Sequence, residues 1–191
     1  MKTEQLIAEA LKELMSNESF DHITVQELSS ACGIKRQTFY YHFRDIYDLL
    51  TWIFLNENTL INKNVKDWKE MVKQIIKYVN KNKNFVKHIL ESSARDLFEQ
   101  FVYSYFYSQI LRQLVTLDKE NRFTSEERKF YVTYYTSAMT SCVILWIEQG
   151  MKEKVEDLLN KLEMLNNQFL PGLIKWLLSS VLINVKCYNI K

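Results

Sequence analysis

The stretch ITVQELSSACGIKRQTFYYHF, Ile23 to Phe43, constrains the fold of this chain more than any other part of it. Thr24 is placed as an N-cap with Glu27 three residues later, the spacing of a capping box, and Ile23 and Leu28 are placed for a hydrophobic staple. A helix therefore starts at Val25, and Gly33 ends it after two turns. A helix of about eight residues, a turn of three or four holding a glycine, and a second short helix is the spacing of a helix-turn-helix. On a wheel of 100° per residue, Phe39 and Phe43 of the second helix fall together at i, i+4. Gln37 and Tyr41 point the other way, flanked by Thr38 and Tyr40, so the phenylalanines are anchors while the amide and phenols face outward.

The flanks agree with a helical protein. Leu6, Ile7, Ala10, Leu11 and Leu14 recur at helical spacing before this stretch, and RDIYDLLTWIFLNEN after it begins another helix with Asp45 as N-cap. Three helices in fewer than about 50 residues bury too little surface to stand alone, so they must dock on that fourth helix. Beyond residue 60 the pattern stays helical, with a second capping box from Thr124 to Glu127 opening a helix that stops at Gly150. Three glycines and one proline in 191 residues leave too little turn chemistry for a sheet protein. The expected fold is all-α: a helix-turn-helix domain of three helices over residues 1–48 and a larger helical domain over 49–191.

The formal charge of +2 does not announce a nucleic-acid binder, and residues 1–50 hold five Lys or Arg against eight Asp or Glu. Three of those five positive charges, however, fall between Lys35 and Arg44. Cys32, Cys142 and Cys187 are odd in number and far apart, as expected of reduced thiols. FLPGLIKWLLSSVLINV is the longest apolar stretch, and Pro171 and Lys175 interrupt it. A soluble, cytoplasmic protein is expected. His22, His42 and His88 are scattered, with no metalloprotease motif, phosphate-cradling loop or nucleophile elbow, so neither an enzyme nor a metal or cofactor is expected.

The segment ITVQELSSACGIKRQTFYYHFRDIYDLL, Ile23 to Leu50, resembles the DNA-binding signature of TetR-family transcriptional regulators in order and spacing. ILWIEQGMKE, Ile144 to Glu153, is similar to the subset of that family that includes regulators of dihydroxyacetone kinase operons. The chain departs from the family pattern at Lys35, where serine is common, at Gln37, where a small residue is, and at Ile46, where lysine is. Ile46 cannot bind a phosphate as a lysine there would, but Arg44 and the free amides opening the fourth helix can do so instead.

The resemblance places the second short helix in a major groove. Gln37 can pair bidentately with adenine, Arg36 or Lys35 can reach guanine or a phosphate, and Thr38 can meet a thymine methyl. Tyr40, Tyr41, His42, Arg44 and Thr24 would hold phosphates and fix the register. Against this stands the plainer reading of half-buried aromatics, a packed histidine and solvated charges. The resemblance further implies a homodimer on a palindromic operator, with Tyr134, Ala138, Ser141, Cys142, Leu145, Trp146, Val155, Leu158, Leu159 and Leu162 at the interface of helices near 125–149 and 153–169. Phe98, Phe101, Tyr105, Phe106, Tyr131 and Tyr135 would line an effector pocket, making 49–191 an effector-binding and dimerisation domain; the plainer reading of both sets is core within one chain. The function so implied is a repressor released by a small molecule. The alternatives are an activator working with a partner protein and an interaction module that has lost DNA binding. The lysine row Lys63, Lys66, Lys69, Lys73, Lys77, Lys81 and Lys87 is either a solvated face or a surface for an acidic partner.

Overall fold

The computed structural model describes residues 2–61, 65, 67–118 and 123–164. Lys63, Lys66, Cys187 and the apolar C-terminal stretch lie outside them. The described elements are helical: α1 (Thr3–Leu14), a single 3₁₀ turn (Phe20–His22), α2 (Val25–Ala31), α3 (Arg36–His42), α4 (Ile46–Ile61), α5 (Trp68–Lys81), α6 (Lys83–Leu90), α7 (Arg95–Leu117) and α8 (Ser125–Glu148). Residues 155–164 are helical as well. The fold is thus an N-terminal helix-turn-helix domain followed by a larger helical one.

Both expected capping boxes form. Thr24 Oγ1 accepts from Glu27 N at 3.2 Å while Glu27 Oε2 accepts from Thr24 N at 2.9 Å, and Thr124 and Glu127 repeat the exchange at 3.2 and 2.8 Å. Asp45 accepts from Asp48 N at 2.8 Å and so caps α4 as its position implied. Gly33 sits at φ +66°, a left-handed conformation that any Cβ would strain, and this lets the chain leave α2 and re-enter a helix three residues later.

Residues 1–151 form one compact unit, and residues 152–164 belong to a second. The boundary expected at residue 48 falls inside α4, which carries the first unit through without a linker. Ile7 and Leu11 of α1, Met15 just after it, Phe20, Ile23, Leu28, Phe39, Phe43, Leu49 and Leu50 are buried and make the N-terminal core. A fully buried residue of this size contributes roughly 1.5–3 kcal/mol through its removal from water. Further along, Phe54 of α4, Phe85 of α6 and Phe98 and Phe101 of α7 meet ring to ring, with Tyr78 of α5 against Phe101. α7 and α8 pack as an antiparallel pair pinned near both ends: Arg95 reaches Glu148 at 2.6 Å, and Arg128 reaches Asp118 at 3.0 Å. In the second unit, Lys161 pairs with Glu153 at 2.5 Å, and Leu158, Leu159 and Leu162 are buried.

Polar contacts tie the α5–α6 hairpin to the N-terminal helices. Glu57 of α4 accepts hydrogen bonds from Lys12 of α1 and from the hydroxyl of Tyr78 of α5. The Lys12 ammonium also lies 5.2 Å from the Phe85 ring centroid. The Met15 carbonyl accepts from His88 Nδ1 at 2.6 Å, and the Ser16 carbonyl from Asn84 Nδ2 at 3.4 Å. Beyond α6, Ser93 donates its hydroxyl to the Asp21 carboxylate, so Tyr47 of α4, whose oxygen is 2.6 Å away, donates to Ser93.

Candidate nucleic-acid interface

The outward face of α3 is built by what its inward face does. Phe39 is fully buried and stands 5.9 Å from buried Phe43, whose ring packs edge-on against Trp52 of α4. With these two rings fixed, the helical repeat turns Lys35, Arg36 and Gln37 to solvent and leaves Thr38 half-buried. Tyr41 is 84% exposed and Tyr40 57%, so neither ring is held mainly by the core. The Tyr40 ring rests edge-on against Phe39 and the Tyr41 ring against His42, so both aromatics are oriented before any ligand arrives.

Two of the residues expected to touch phosphate, His42 and Thr24, are engaged inside the chain. His42 is largely covered, with Nδ1 3.1 Å from the Glu4 carboxylate of α1. The Glu4 carboxyl lies below its usual range, chiefly through a bond from a backbone N–H and secondarily through His42. Thr24 is exposed at the start of α2, but its hydroxyl is committed to the Glu27 carboxylate at 2.8 Å. That hydroxyl, followed by the Thr24 N–H, holds the Glu27 carboxyl below its usual range. Arg44 is exposed and forms only a neighbouring pair with Asp45 at 3.2 Å. Glu4 was not visible as a site residue from sequence, because contact between the first turn of α1 and the last of α3 is a tertiary event.

The residues assigned to dimerisation divide by face. On α8, Tyr134 is 60% and Leu145 54% exposed, Ala138 and Ser141 are exposed, and Cys142 is half-buried. Phe130 extends the same stripe one turn earlier and was missed by the sequence reading. Trp146 is buried instead, about 100° around α8 from exposed Leu145, and Leu158, Leu159 and Leu162 are buried within a single chain, with Val155 half-buried. Phe130, Tyr134, Ala138, Ser141 and Leu145 thus form one exposed stripe along α8. By length and composition α8 would suit a membrane span, but Val132, Met139, Val143, Ile144 and Ile147 are buried in the chain's own core.

Of the aromatic residues assigned to an effector pocket, four are buried and two half-buried. Phe98, Phe101, Tyr105 and Phe106 are buried in packed core, and the Tyr105 hydroxyl donates to the Met71 carbonyl at 2.9 Å. Burial pushes that phenol well above its usual range. Tyr131 and Tyr135 are half-buried on α8, Tyr131 edge-on to Phe123. A cleft of about 110 Å³ between α4 and α7 is lined by Thr51, Phe54, Leu55, Asn58, Leu97, Gln100, Phe101 and Ser104, and only Phe101 belongs to the expected set.

Comparison with known proteins bears on both parts of the chain. Residues 7–51 match the family model described as bacterial regulatory proteins, tetR family, and residues 66–168 match the model of a transcriptional regulator C-terminal region. The chain is 28% identical over 140 residues to the HTH-type dhaKLM operon transcriptional activator DhaS of Lactococcus lactis subsp. lactis (strain IL1403), covering 71% of this chain and 74% of that one. A solved dihydroxyacetone kinase operon activator DhaS superposes with a TM-score of 0.63 at 24% identity, over 85% of this chain and 94% of its own. The fatty acid degradation regulator FadR from Bacillus halodurans does so with a TM-score of 0.63 at 14% identity, over 86% and 94%.

Proposed function

The chain belongs to the tetR family of bacterial transcriptional regulators, and from that premise we propose that it acts in the cytoplasm as a two-fold dimer reading a palindromic operator with α3. The observation that carries this is the division of α3, with Phe39 and Phe43 locked into the core and Arg36, Gln37, Tyr40 and Tyr41 presented together. Arg36 and Gln37 lie in the first turn, where a recognition helix meets base edges. Gln37 is suited to adenine and Arg36 to guanine, each bidentate pair worth about 1–3 kcal/mol of discrimination. Tyr40, Tyr41, Lys35 and Arg44 supply phosphate contacts that set register. His42 serves indirectly, holding the end of α3 to Glu4.

One short helix reads few bases, so two copies are needed, spaced by the exposed stripe of α8. The experiment is selection of bound duplexes from a random-sequence pool, in parallel with a Gln37→Ala, Tyr41→Ala variant. A two-fold symmetric motif that weakens or relaxes in the variant supports the reading. Enrichment of no sequence by either protein at low salt defeats it.

For the direction of regulation, the similarity to DhaS, an operon activator, favours activation over release of a repressor by a small molecule. A reporter placed behind the selected operator decides it: deletion of the regulator lowers transcription if it activates and raises it if it represses.

A further inference from the structure

We propose that the outer face of the α5–α6 hairpin is a docking surface for an acidic protein, and that the helix-turn-helix senses its occupation through the contacts of the hairpin's inner face. Residues 71–90 hold five lysines and no Asp or Glu, in a chain whose formal charge is only +2. The structure turns all five, Lys73, Lys77, Lys81, Lys83 and Lys87, to solvent. Among the described residues only Lys87 has a carboxylate within ion-pair distance, Glu91 at 3.9 Å, and Glu70, one turn before Lys73, is the acid of α5. A face that merely keeps a helix in solution intersperses both signs. Lysines four residues apart, as at 73, 77 and 81, weaken their own helix, and the buried inner face of α5 has to offset this. An acidic surface laid across the row relieves that repulsion, which is the charge complementarity that selects a partner.

The inner side of the same two helices holds Tyr78, Asn84 and His88, which bind Glu57, the Ser16 carbonyl and the Met15 carbonyl. Any tilt of the hairpin is therefore carried to α1 and α4. The geometry also favours a protein over the operator as occupant. Lys12 at the hairpin and Glu4 at α3 are separated by eight residues of α1, about 12 Å of helix. α1 thus meets α5 and α6 near its C-terminal end and α3 near its N-terminal end.

The docking half of the proposal is independent of DNA binding, whereas the read-out half rests on the function proposed above. The test uses the full chain, a Lys73→Glu, Lys77→Glu, Lys81→Glu variant and its all-Gln counterpart, with folding checked by circular dichroism. The probe is a short poly-glutamate peptide, and the DNA is the duplex selected by the wild type. The wild type is expected to bind the peptide with an affinity that falls as salt rises, with hydrogen-exchange protection confined to α5 and α6. The Glu variant loses roughly tenfold or more of that affinity, the Gln variant less, and both keep the duplex affinity measured without peptide. Peptide should shift the wild type's duplex affinity about fivefold or more, and the variants' not at all. Peptide binding that is absent, protects other helices or survives in the Glu variant overturns the docking surface. Loss of duplex affinity in the variants without peptide assigns the lysines to DNA and overturns a protein occupant. An unchanged wild-type duplex affinity on adding peptide overturns the read-out. If no duplex is ever selected, it is the regulator reading that has failed, and peptide binding still decides the docking surface.

Discussion

The hydroxyl of Tyr78 on α5 donates to the carboxylate of Glu57 on α4, which also holds Lys12 of α1, so one half-buried carboxylate joins three helices. Burial, followed by the neighbouring Glu57 charge, holds the Tyr78 phenol well above its usual range. The folded state therefore keeps this proton when the unfolded chain releases it. The contribution is fully present below the unfolded value near pH 10 and is lost as pH rises from there toward the folded value, at up to about 1.4 kcal/mol per pH unit. Chemical denaturation of wild type and Tyr78→Phe from pH 8 to 11 (roughly the phenol's titration range) should show a steeper alkaline loss in the wild type. Near neutrality Tyr78→Phe should cost about 1–3 kcal/mol, because it leaves Glu57 short of a donor.

Phe39 and Tyr41 are two residues apart and should behave oppositely. Phe39→Ala empties a fully buried site and is expected to destabilise by about 3–5 kcal/mol. Tyr41→Ala removes a ring that is almost wholly in solvent, so stability should change by less than about 0.5 kcal/mol. Its effect belongs to DNA affinity and to the salt dependence of binding. Urea titration paired with duplex titration separates the two; a Tyr41→Ala variant that unfolds early would show that the ring belongs to the core.

The capping box at the start of α8 lies away from the DNA-facing helices and can be tested without disturbing them. Thr124→Ala should cost about 1 kcal/mol. The Glu127 carboxyl is held below its usual range first by the Thr124 N–H and then by its hydroxyl. Its contribution is present above the unfolded carboxyl value and is lost as pH falls through the lower folded one. Stability measured from neutral pH into acid should therefore fall less steeply in Thr124→Ala than in the wild type.

The exposed stripe of α8 should govern assembly. Separate charged substitutions at two apolar positions of the stripe, Tyr134→Arg and Leu145→Glu, each place an unpaired charge where two apolar faces would meet. Sedimentation should show a monomer, with binding to a symmetric duplex weakened much more than binding to a single half-site. A variant that stays dimeric would move the interface elsewhere.

Much of the molecule was legible in the amino-acid order because its signals are local. Thr24 with Glu27, Thr124 with Glu127, Asp45 before α4 and Gly33 between α2 and α3 mark boundaries through interactions spanning three or four residues. The helical repeat likewise predicted that Phe39 and Phe43 turn inward and Gln37 and Tyr41 outward. Periodicity says which face of a helix is apolar, but not what that face meets. Only the tertiary structure decided that Phe98, Phe101, Tyr105 and Phe106 fill core and that Trp146 turns inward while Phe130 stays exposed. Tertiary packing also commits His42 to Glu4, and Lys12 and Tyr78 to Glu57, pairs set by how distant helices pack and marked by no spacing in the chain.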